Sequence, residues 1–468
     1  MAPLKILVVV HGYPPTAVAG TEICAQRLCV ALKGMGHDVS VIAREERFGY
    51  PEYKIIRDER GGIPVMRIVN NFTRLHERYL YDYHPRIEEI FEDELVRLKP
   101  DLVHVQHLSG ASWGIPLIVK KHGTPLVVSL HDYWYACERV QLLRPDGTIC
   151  PGPDDGRACS RYCAHGALSL MASAVIERLK WGAGFLGACP GERIALRTLA
   201  AIQPLVMPRK TKKLRRVYAE RCARLLHNLG KADLLIAPSE KAREIYESLG
   251  IPKERVGVIP HGAPPLPDAR ASFLRNEYDG TRPLVVGYVG TVMAHKGVVT
   301  LLRAIRGLSP EKATLRIYGR AYPPRFARFI TKAIKRFPRG QVEIQGTYQP
   351  EELSRIMAGL DVVVIPSLWH ETFNLVLWEA WASRLPVIAS RVGALSDFIR
   401  EGVDGLTFPP GNWRDLRAQL ARILETPALL GTLRENLPRS CTSLDENARC
   451  YEEIYTRLTT ERAKVRNH

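Results

Sequence analysis

The chain has no apolar run able to cross a bilayer. Its most apolar stretch, Ala167 to Cys189, is interrupted by Glu177, Arg178 and Lys180, whereas a spanning helix needs about 20 predominantly apolar residues. A secretory leader is not expected either. Lys5-Ile-Leu-Val-Val-Val10 is too short for the apolar core of one, and no cleavage site follows. The expectation is therefore a cytoplasmic protein. There is no long repeat, and no low-complexity tract beyond one basic run. No RNA- or DNA-binding motif stands out, so nucleic acid is not an expected partner. Acidic residues are the minority: 49 Asp and Glu against 66 Lys and Arg leave a net charge of +17. That excess attracts polyanions, with phosphorylated substrates and anionic membrane ranked above nucleic acid.

What is there is ordinary globular material. The 468 residues are 46% hydrophobic and 25% charged, enough for two domains with full cores. Strand and helix patterns alternate almost continuously, which implies parallel sheets. Strands are expected at Lys5–Val10, Asp38–Ala43, Pro64–Val69, Leu102–Gln106, Pro125–Leu130, Leu234–Ala237 and Val256–Ile259. A second series follows at Leu284–Val289, Thr314–Tyr318, Val342–Ile344, Asp361–Ile365 and Pro386–Ala389. Between the two series lies a stretch rich in Pro and charge. The fold class is α/β: two doubly wound, Rossmann-like domains facing a central cleft, with ligands expected at the carboxyl ends of the strands.

Residues 366–381, Pro-Ser-Leu-Trp-His-Glu-Thr-Phe-Asn-Leu-Val-Leu-Trp-Glu-Ala-Trp, are the most informative segment. Glu371 falls in the loop after a strand, and Glu379 two turns into the following helix. The N–H groups of Phe373, Asn374 and Leu375 would face an anion from the helix N-terminus. Such an arrangement suits a sugar nucleotide: one carboxylate for sugar hydroxyls, one for ribose, and N–H groups for the diphosphate. Lys296 follows the strand that ends at Gly290 and Thr291, where an ammonium can neutralise a leaving diphosphate. Spacing alone fits two ordinary surface glutamates equally well.

The order and spacing of these segments resemble the retaining, nucleotide-sugar-dependent glycosyltransferases of family 4 (glycosyl transferases group 1), which have the GT-B fold. His11-Gly-Tyr-Pro-Pro, Ala19-Gly-Thr-Glu22, Gly36-His-Asp-Val39, Asp101-Leu-Val-His-Val and Ser129-Leu-His-Asp-Tyr-Trp carry the resemblance in the first half. Gly346-Thr-Tyr, Leu385-Pro-Val-Ile-Ala-Ser390, Gly393-Ala and Gly402-Val-Asp-Gly-Leu carry it in the second. The resemblance implies an acceptor-binding domain over 1–260 with an insert at about 137–230, a linker at 261–283, and a nucleotide-sugar-binding domain over 284–439. A C-terminal helix at about 440–468 would return to the first domain.

It also implies transfer of a hexose-type sugar from a nucleoside-diphosphate sugar to a hydroxyl acceptor with retention of configuration, and no cofactor for catalysis. The expected setting is cell-surface polysaccharide or glycolipid assembly, with a glycan or lipid-linked acceptor. A nucleotide-sugar epimerase on the same fold, or a non-catalytic sugar-nucleotide-binding protein, are the alternatives. In one departure from the family, Thr291 stands where many members carry Arg, so Lys296 must carry more charge or a nearby base such as Arg320 compensates. In another, Asn374 replaces the usual Gly.

On the acceptor side, His131 ends a strand and could take a proton, bind a sugar hydroxyl or orient either. His107 could line the same side, and Gly20 with Thr21 opens the first helix, where substrate could approach the backbone. Cys137, Cys150, Cys159 and Cys163 crowd the insert just after His131. Four thiolates can close a structural zinc site, yet no Cys-x2-Cys pair is among them. Four reduced thiols and a zinc site both remain open. Arg209, Lys210, Lys212, Lys213, Arg215 and Arg216 form a basic cluster beside Leu205-Val-Met207. It reads either as a solvated face or as a site for peripheral binding to the inner face of the cytoplasmic membrane.

Overall fold

The computed structural model describes residues 2–72, 83–163, 208–262, 277–438 and 442–466. The chain divides into two compact units. One comprises Met1–Val140, Arg216–Ala263 and Thr442–His468, the other Gln141–Arg215 and Pro264–Cys441. Leu205 to Met207, and most of the linker, lie outside the described residues.

Among the described residues, the first unit carries an eight-stranded sheet. Its strands are β1 (Lys5–Val10), β2 (Asp38–Glu45), β3 (Ile55–Arg60), β4 (Ile63–Val69), β5 (Leu102–Val105), β6 (Leu126–Ser129), β7 (Leu234–Ala237) and β8 (Val256–Val258). They lie in the order β3-β4-β2-β1-β5-β6-β7-β8, parallel except for the β3–β4 pair. Strand β3 was not expected from sequence because Ile-Ile-Arg-Asp-Glu-Arg has no apolar face. A signal was nonetheless present: Gly61 and Gly62 both take positive φ (58° and 74°), the hairpin turn that Gly-Gly favours.

The direction of winding reverses between β1 and β5. The loops after these two strands therefore run to opposite faces and leave a crevice at their carboxyl ends. The loops after β1, β5 and β6 carry His11, His107 and His131. The helix Leu444–Arg466 belongs to this unit. Its Ala448, Tyr451 and Tyr455 are buried with Ile6, Val8 and Leu28. Asn447 Nδ2 donates to Pro260 O at 2.6 Å, and Glu452 meets the buried His37 at 3.1 Å.

The second unit carries β9 (Leu284–Val289), β10 (Ala313–Tyr318), β11 (Val342–Gly346), β12 (Val362–Ile365), β13 (Val387–Ser390) and β14 (Leu406–Phe408). These are parallel throughout, in the order β11-β10-β9-β12-β13-β14. Both faces are covered, as a parallel sheet requires. Val286, Leu315 and Val364 face one apolar layer; Val363, Ile365, Leu377 and Trp381 face the other. Here the winding reverses between β9 and β12, so the loops bearing Lys296 and Glu371 flank the crevice. Among the described residues, no helix is long and apolar enough to cross a membrane.

Candidate functional site

The second unit zips its two crevice loops together. After β9 the chain turns at Gly290 (φ 117°), makes one tight turn over Ala294–Lys296, and starts the helix Val298–Ile305 at Gly297 (φ 74°). A side chain at Gly297 would place its Cβ 1.7 Å from Pro366 O, so only glycine allows this approach to the loop after β12. Leu368 N–H donates to His295 O at 2.8 Å, fixing the register of the two loops.

This closure brings Lys296 Nζ to 2.8 Å from Glu371 Oε1, across 75 positions of sequence. Trp369 Nε1 donates to the same oxygen at 3.0 Å, and Ser367 Oγ joins them. The ammonium also lies 5.3 Å from the centre of the Trp369 ring, within reach of a cation–π attraction. Glu371 is 2% exposed, while the Lys296 side chain keeps 29%. The backbone of Glu371 is fixed as well: its carbonyl accepts from Ala394 N–H at 2.7 Å, and a Cβ at Gly393 would come within 2.4 Å of it. The result is a buried carboxylate of fixed orientation. The three donors meet Oε1 and none of them uses Oε2. The sequence pointed to Lys296 and Glu371 separately, but not to their pairing.

The helix after this loop is Leu375–Ala382, with Asn374 as its N-cap. Asn374 Oδ1 accepts from Leu377 N–H at 3.0 Å, the ordinary capping bond. Its φ of −131° is extended, so asparagine is here for its side chain, not for tolerance of a left-handed backbone. The first-turn donors not taken by the cap are those of Leu375 and Val376. Phe373 precedes the cap and packs face to face with Trp378, ring centroids 5.7 Å apart, with Phe398 edge-on. The expected donors Phe373, Asn374 and Leu375 lie at this helix start, with the cap at Asn374. Glu379 is half-buried. Burial first, then the Glu379 charge, push the Tyr348 hydroxyl up to about 12. Thr291 is exposed, and its carbonyl accepts from Tyr288 OH at 2.8 Å.

The first unit gathers imidazoles instead of an ion pair with an exposed ammonium. His131 Nε2 lies 2.6 Å from Gln106 Oε1 and its ring stacks on His261, centroids 4.9 Å apart. An amide oxygen only accepts, so the proton sits on Nε2. Burial, then the neighbouring histidines, hold His131 well below the ordinary imidazole value. It is a neutral hydrogen-bonding group at physiological pH. His104 is buried between Ser129 Oγ (2.8 Å) and Tyr455 OH (2.6 Å), and burial lowers it to about 3.

His107 accepts from Ser109 N–H on Nδ1 (3.1 Å), which places its proton on Nε2, donated to Asp132 at 3.1 Å. His11 packs on His107, ring centroids 4.3 Å apart, and its Nε2 meets Glu22 at 3.2 Å. Burial and then His107 lower the pKa of His11. Two histidine–carboxylate pairs therefore share one ring contact, which the sequence motifs did not reveal. The helix Gly20–Gly34 begins at Gly20, with Thr21 in its first turn. A Cβ at Gly20 would meet nothing within 4 Å, so the fold itself does not require glycine there.

Cys150 Sγ donates to Gly152 O at 3.3 Å. Among the described residues, no group of three or more His, Cys, Asp or Glu could hold a metal ion. A zinc site on Cys137, Cys150, Cys159 and Cys163 is therefore not confirmed by this structure.

Two doubly wound units with ligand-end loops are the GT-B architecture, and comparison with known proteins agrees. Residues 18–170 match the glycosyltransferase family 4 model and residues 273–442 the glycosyl transferases group 1 model. The chain belongs to the group 1 glycosyltransferase family with the GT-B fold. It is 28% identical to alpha-D-kanosaminyltransferase of Streptomyces kanamyceticus, over 49% of this chain and 62% of that protein. It is 31% identical to D-inositol 3-phosphate glycosyltransferase of Nocardia farcinica, over 38% of this chain and 42% of the relative. The matched region thus spans under two thirds of these curated relatives. Among solved structures, sucrose-phosphate synthase from Thermosynechococcus elongatus superposes with TM-score 0.64 at 20% identity, covering 98% of this chain and 100% of the other. HepE from Anabaena, in complex with UDP and glucose, gives 0.58 at 16% identity, covering 97% and 99%.

Proposed function

We propose that the protein transfers a hexose-type sugar from a nucleoside-diphosphate sugar to a hydroxyl acceptor, with retention at the anomeric carbon. The observation that carries this reading is the Lys296–Glu371 pair at the β9–β12 switch point, 2.8 Å apart, with the first turn of Leu375–Ala382 beside it. The Lys296 ammonium and the N–H groups of Leu375 and Val376 stabilise the charge that grows on the departing diphosphate. Glu371, fixed through Oε1, offers Oε2 to donor-sugar hydroxyls, and Glu379 accepts from the ribose. The bond from the anomeric carbon to phosphate oxygen breaks on the face where the acceptor oxygen bonds, and the acceptor proton passes to the departing phosphate. Neutral His131 holds the sugar or the acceptor, and the backbone at Gly20 and Thr21 lies open to the same ligands.

The family membership and the relatives' names support a role in polysaccharide, glycolipid or other glycoside assembly. The basic face of the helix Pro208–Leu229 supports an acceptor displayed at an anionic membrane on the cytoplasmic side. No cofactor enters the reaction, and zinc forms no part of this reading.

The test is direct. UDP-, GDP- and ADP-sugars are screened for binding by thermal shift, since a ligand selective for the folded state raises apparent stability. Products formed from the binding donor are then assigned by anomeric coupling in NMR. A product of inverted configuration removes the retaining mechanism. Isomerised sugar nucleotide formed without acceptor would make the enzyme an epimerase.

A further inference from the structure

A diphosphate brings two or more negative charges to the β9 loop, and the cation there is already engaged. Lys296 is paired with Glu371 at 2.8 Å, so the two together carry no net charge. The ammonium still faces the crevice, but a leaving diphosphate carries more negative charge than one paired lysine offsets. Thr291, the residue directly after Gly290, has none to give.

The neighbouring strand does. β9 and β10 run in parallel register from Leu284 opposite Ala313 to Val289 opposite Tyr318. Beyond both strands the register continues without a slip: Val292 bridges Ala321, Val292 N–H donates to Arg320 O at 2.9 Å, and Tyr322 N–H to Val292 O at 3.1 Å. Arg320 is therefore the register partner of Thr291. Partners in a parallel pair project to the same side, with backbones about 4.8 Å apart. Two glycines make this continuation possible. Gly290 and Gly319 are themselves register partners, with φ of 117° and 134°, and a Cβ on Gly319 would fall 1.9 Å from Gly290 O. Both chains bend together and emerge still paired.

Arg320 is exposed, and its side chain makes no hydrogen bond or ion pair among the described residues. Another arginine just past a strand end of this sheet, Arg391, follows β13 and lies one strand beyond β12. Arg316 is engaged by Glu343.

We infer that Arg320 supplies the second diphosphate cation, reaching from β10 onto the surface that an arginine at position 291 would otherwise occupy. The guanidinium offers a planar fork of donors for phosphate oxygens. The sequence raised Arg320 as one way to offset Thr291; the register and the prior engagement of Lys296 are what select it. This inference rests on the nucleoside-diphosphate reading of the site.

The experiment measures binding of UDP, GDP and ADP, and of the corresponding monophosphates, by calorimetry. It compares the parent chain with Arg320→Ala, Thr291→Arg/Arg320→Ala and Arg391→Ala. For the diphosphate that binds, Arg320→Ala is expected to weaken affinity about tenfold or more, the size of a lost charge-assisted hydrogen bond. Monophosphate affinity should fall less. Moving the cation to position 291 should recover most of the loss, and Arg391→Ala should stay within about twofold. Unchanged diphosphate affinity in Arg320→Ala, with the parent binding normally, overturns the inference and leaves the donor-site reading standing. Parent protein that binds none of the three overturns both. Circular dichroism of Arg320→Ala separates a folding defect from lost binding, and Arg320→Lys, which keeps the charge, should retain part of the affinity.

Discussion

The two units follow one plan and fill it with opposite chemistry. Each is a parallel sheet, apart from the β3–β4 hairpin of the first, whose winding reverses at a switch point, and each puts polar residues on the loops beyond it. In the second unit a buried carboxylate holds a lysine that stays 29% exposed, so charge is displayed. In the first unit, burial strips the charge from the imidazoles: His131 is held well below its ordinary value and His104 is lowered to about 3. One set of loops is suited to an anionic leaving group, the other to neutral hydroxyl groups. The local cause is how each set of loops is packed. Lys296 and Glu371 come from loops that glycine contacts draw together, whereas the histidines sit at or just beyond the ends of the adjacent strands β1, β5 and β6, where His104, His107 and His131 are buried.

Removing the displayed charge is the sharpest way to break this contrast. Lys296→Ala should cut turnover by about 10² to 10³, the range for loss of one preorganised stabiliser, and Lys296→Arg should recover part of it. Saturating-donor kinetics provide the measure. A loss below about threefold would mean that the phosphate charge is carried elsewhere, with Arg320 the first suspect. His131→Gln keeps a neutral hydrogen-bonding group and should cost much less, about tenfold. The pH profile of kcat between pH 6 and 8 should not move with it, because an imidazole this depressed does not titrate there. A shift in that profile would make His131 a proton carrier.

Next comes a stability measurement specific to the first unit. A histidine whose folded pKa is depressed binds its proton more readily when unfolded. Its contribution is therefore complete above the unfolded value near 6.5 and falls away as pH drops toward the folded value. With His104 at about 3 and His261 at about 4, urea stability should be flat above pH 7 and decline between about pH 6.5 and 4.5. Each such histidine adds up to about 1.4 kcal/mol per pH unit. His104→Gln should lower that slope, whatever it does to absolute stability. Carboxylates act in a separate window. Glu94, whose pair of arginines outweighs its burial and holds it at about 2, loses its contribution only below about pH 4.5.

A smaller effect is expected at Gly20. A Cβ there meets nothing within 4 Å, so Gly20→Ala should leave stability within about 0.5 kcal/mol. If ligand approaches that backbone, KM should rise several-fold with Tm unchanged. Unaltered kinetics would remove Gly20 from the site.

Much of this architecture was legible because periodicity reports burial. Strands such as Leu-Val-Val-Gly-Tyr-Val and Val-Val-Val-Ile, flanked by glycine or proline, declare a parallel sheet core. Strand β3 escaped because an edge strand need not be apolar. At the site, residue types were legible and partnerships were not. Nothing local ties Lys296 to Glu371, His11 to His107, or Arg320 to Thr291. Those pairings depend on which strands become neighbours, and that is decided by the whole sheet. Asn374 shows the reverse case. Its substitution for glycine pointed to backbone tolerance, whereas a capping side chain explains it with no special backbone at all.

The last expected effect concerns the basic helix, where the structure leaves few of the cations unengaged. Of the six cations between Arg209 and Arg216, Arg215 is engaged by Asp155 and Arg216 by Glu220. The side chains of Arg209 and Lys210, like Leu205 to Met207, lie outside the described residues. Lys212 and Lys213 are exposed. A juxtamembrane cation near an anionic surface contributes about 1 kcal/mol, so Lys212→Gln/Lys213→Gln should weaken binding to phosphatidylserine vesicles by about thirtyfold. Because that attraction is screened over about 10 Å at 0.1 M salt, raising ionic strength should erase the difference between the double variant and the parent. Vesicle co-sedimentation across a salt series reads both. Binding that ignores salt and both substitutions would assign membrane contact to a different surface, and no binding at all would leave the acceptor in solution.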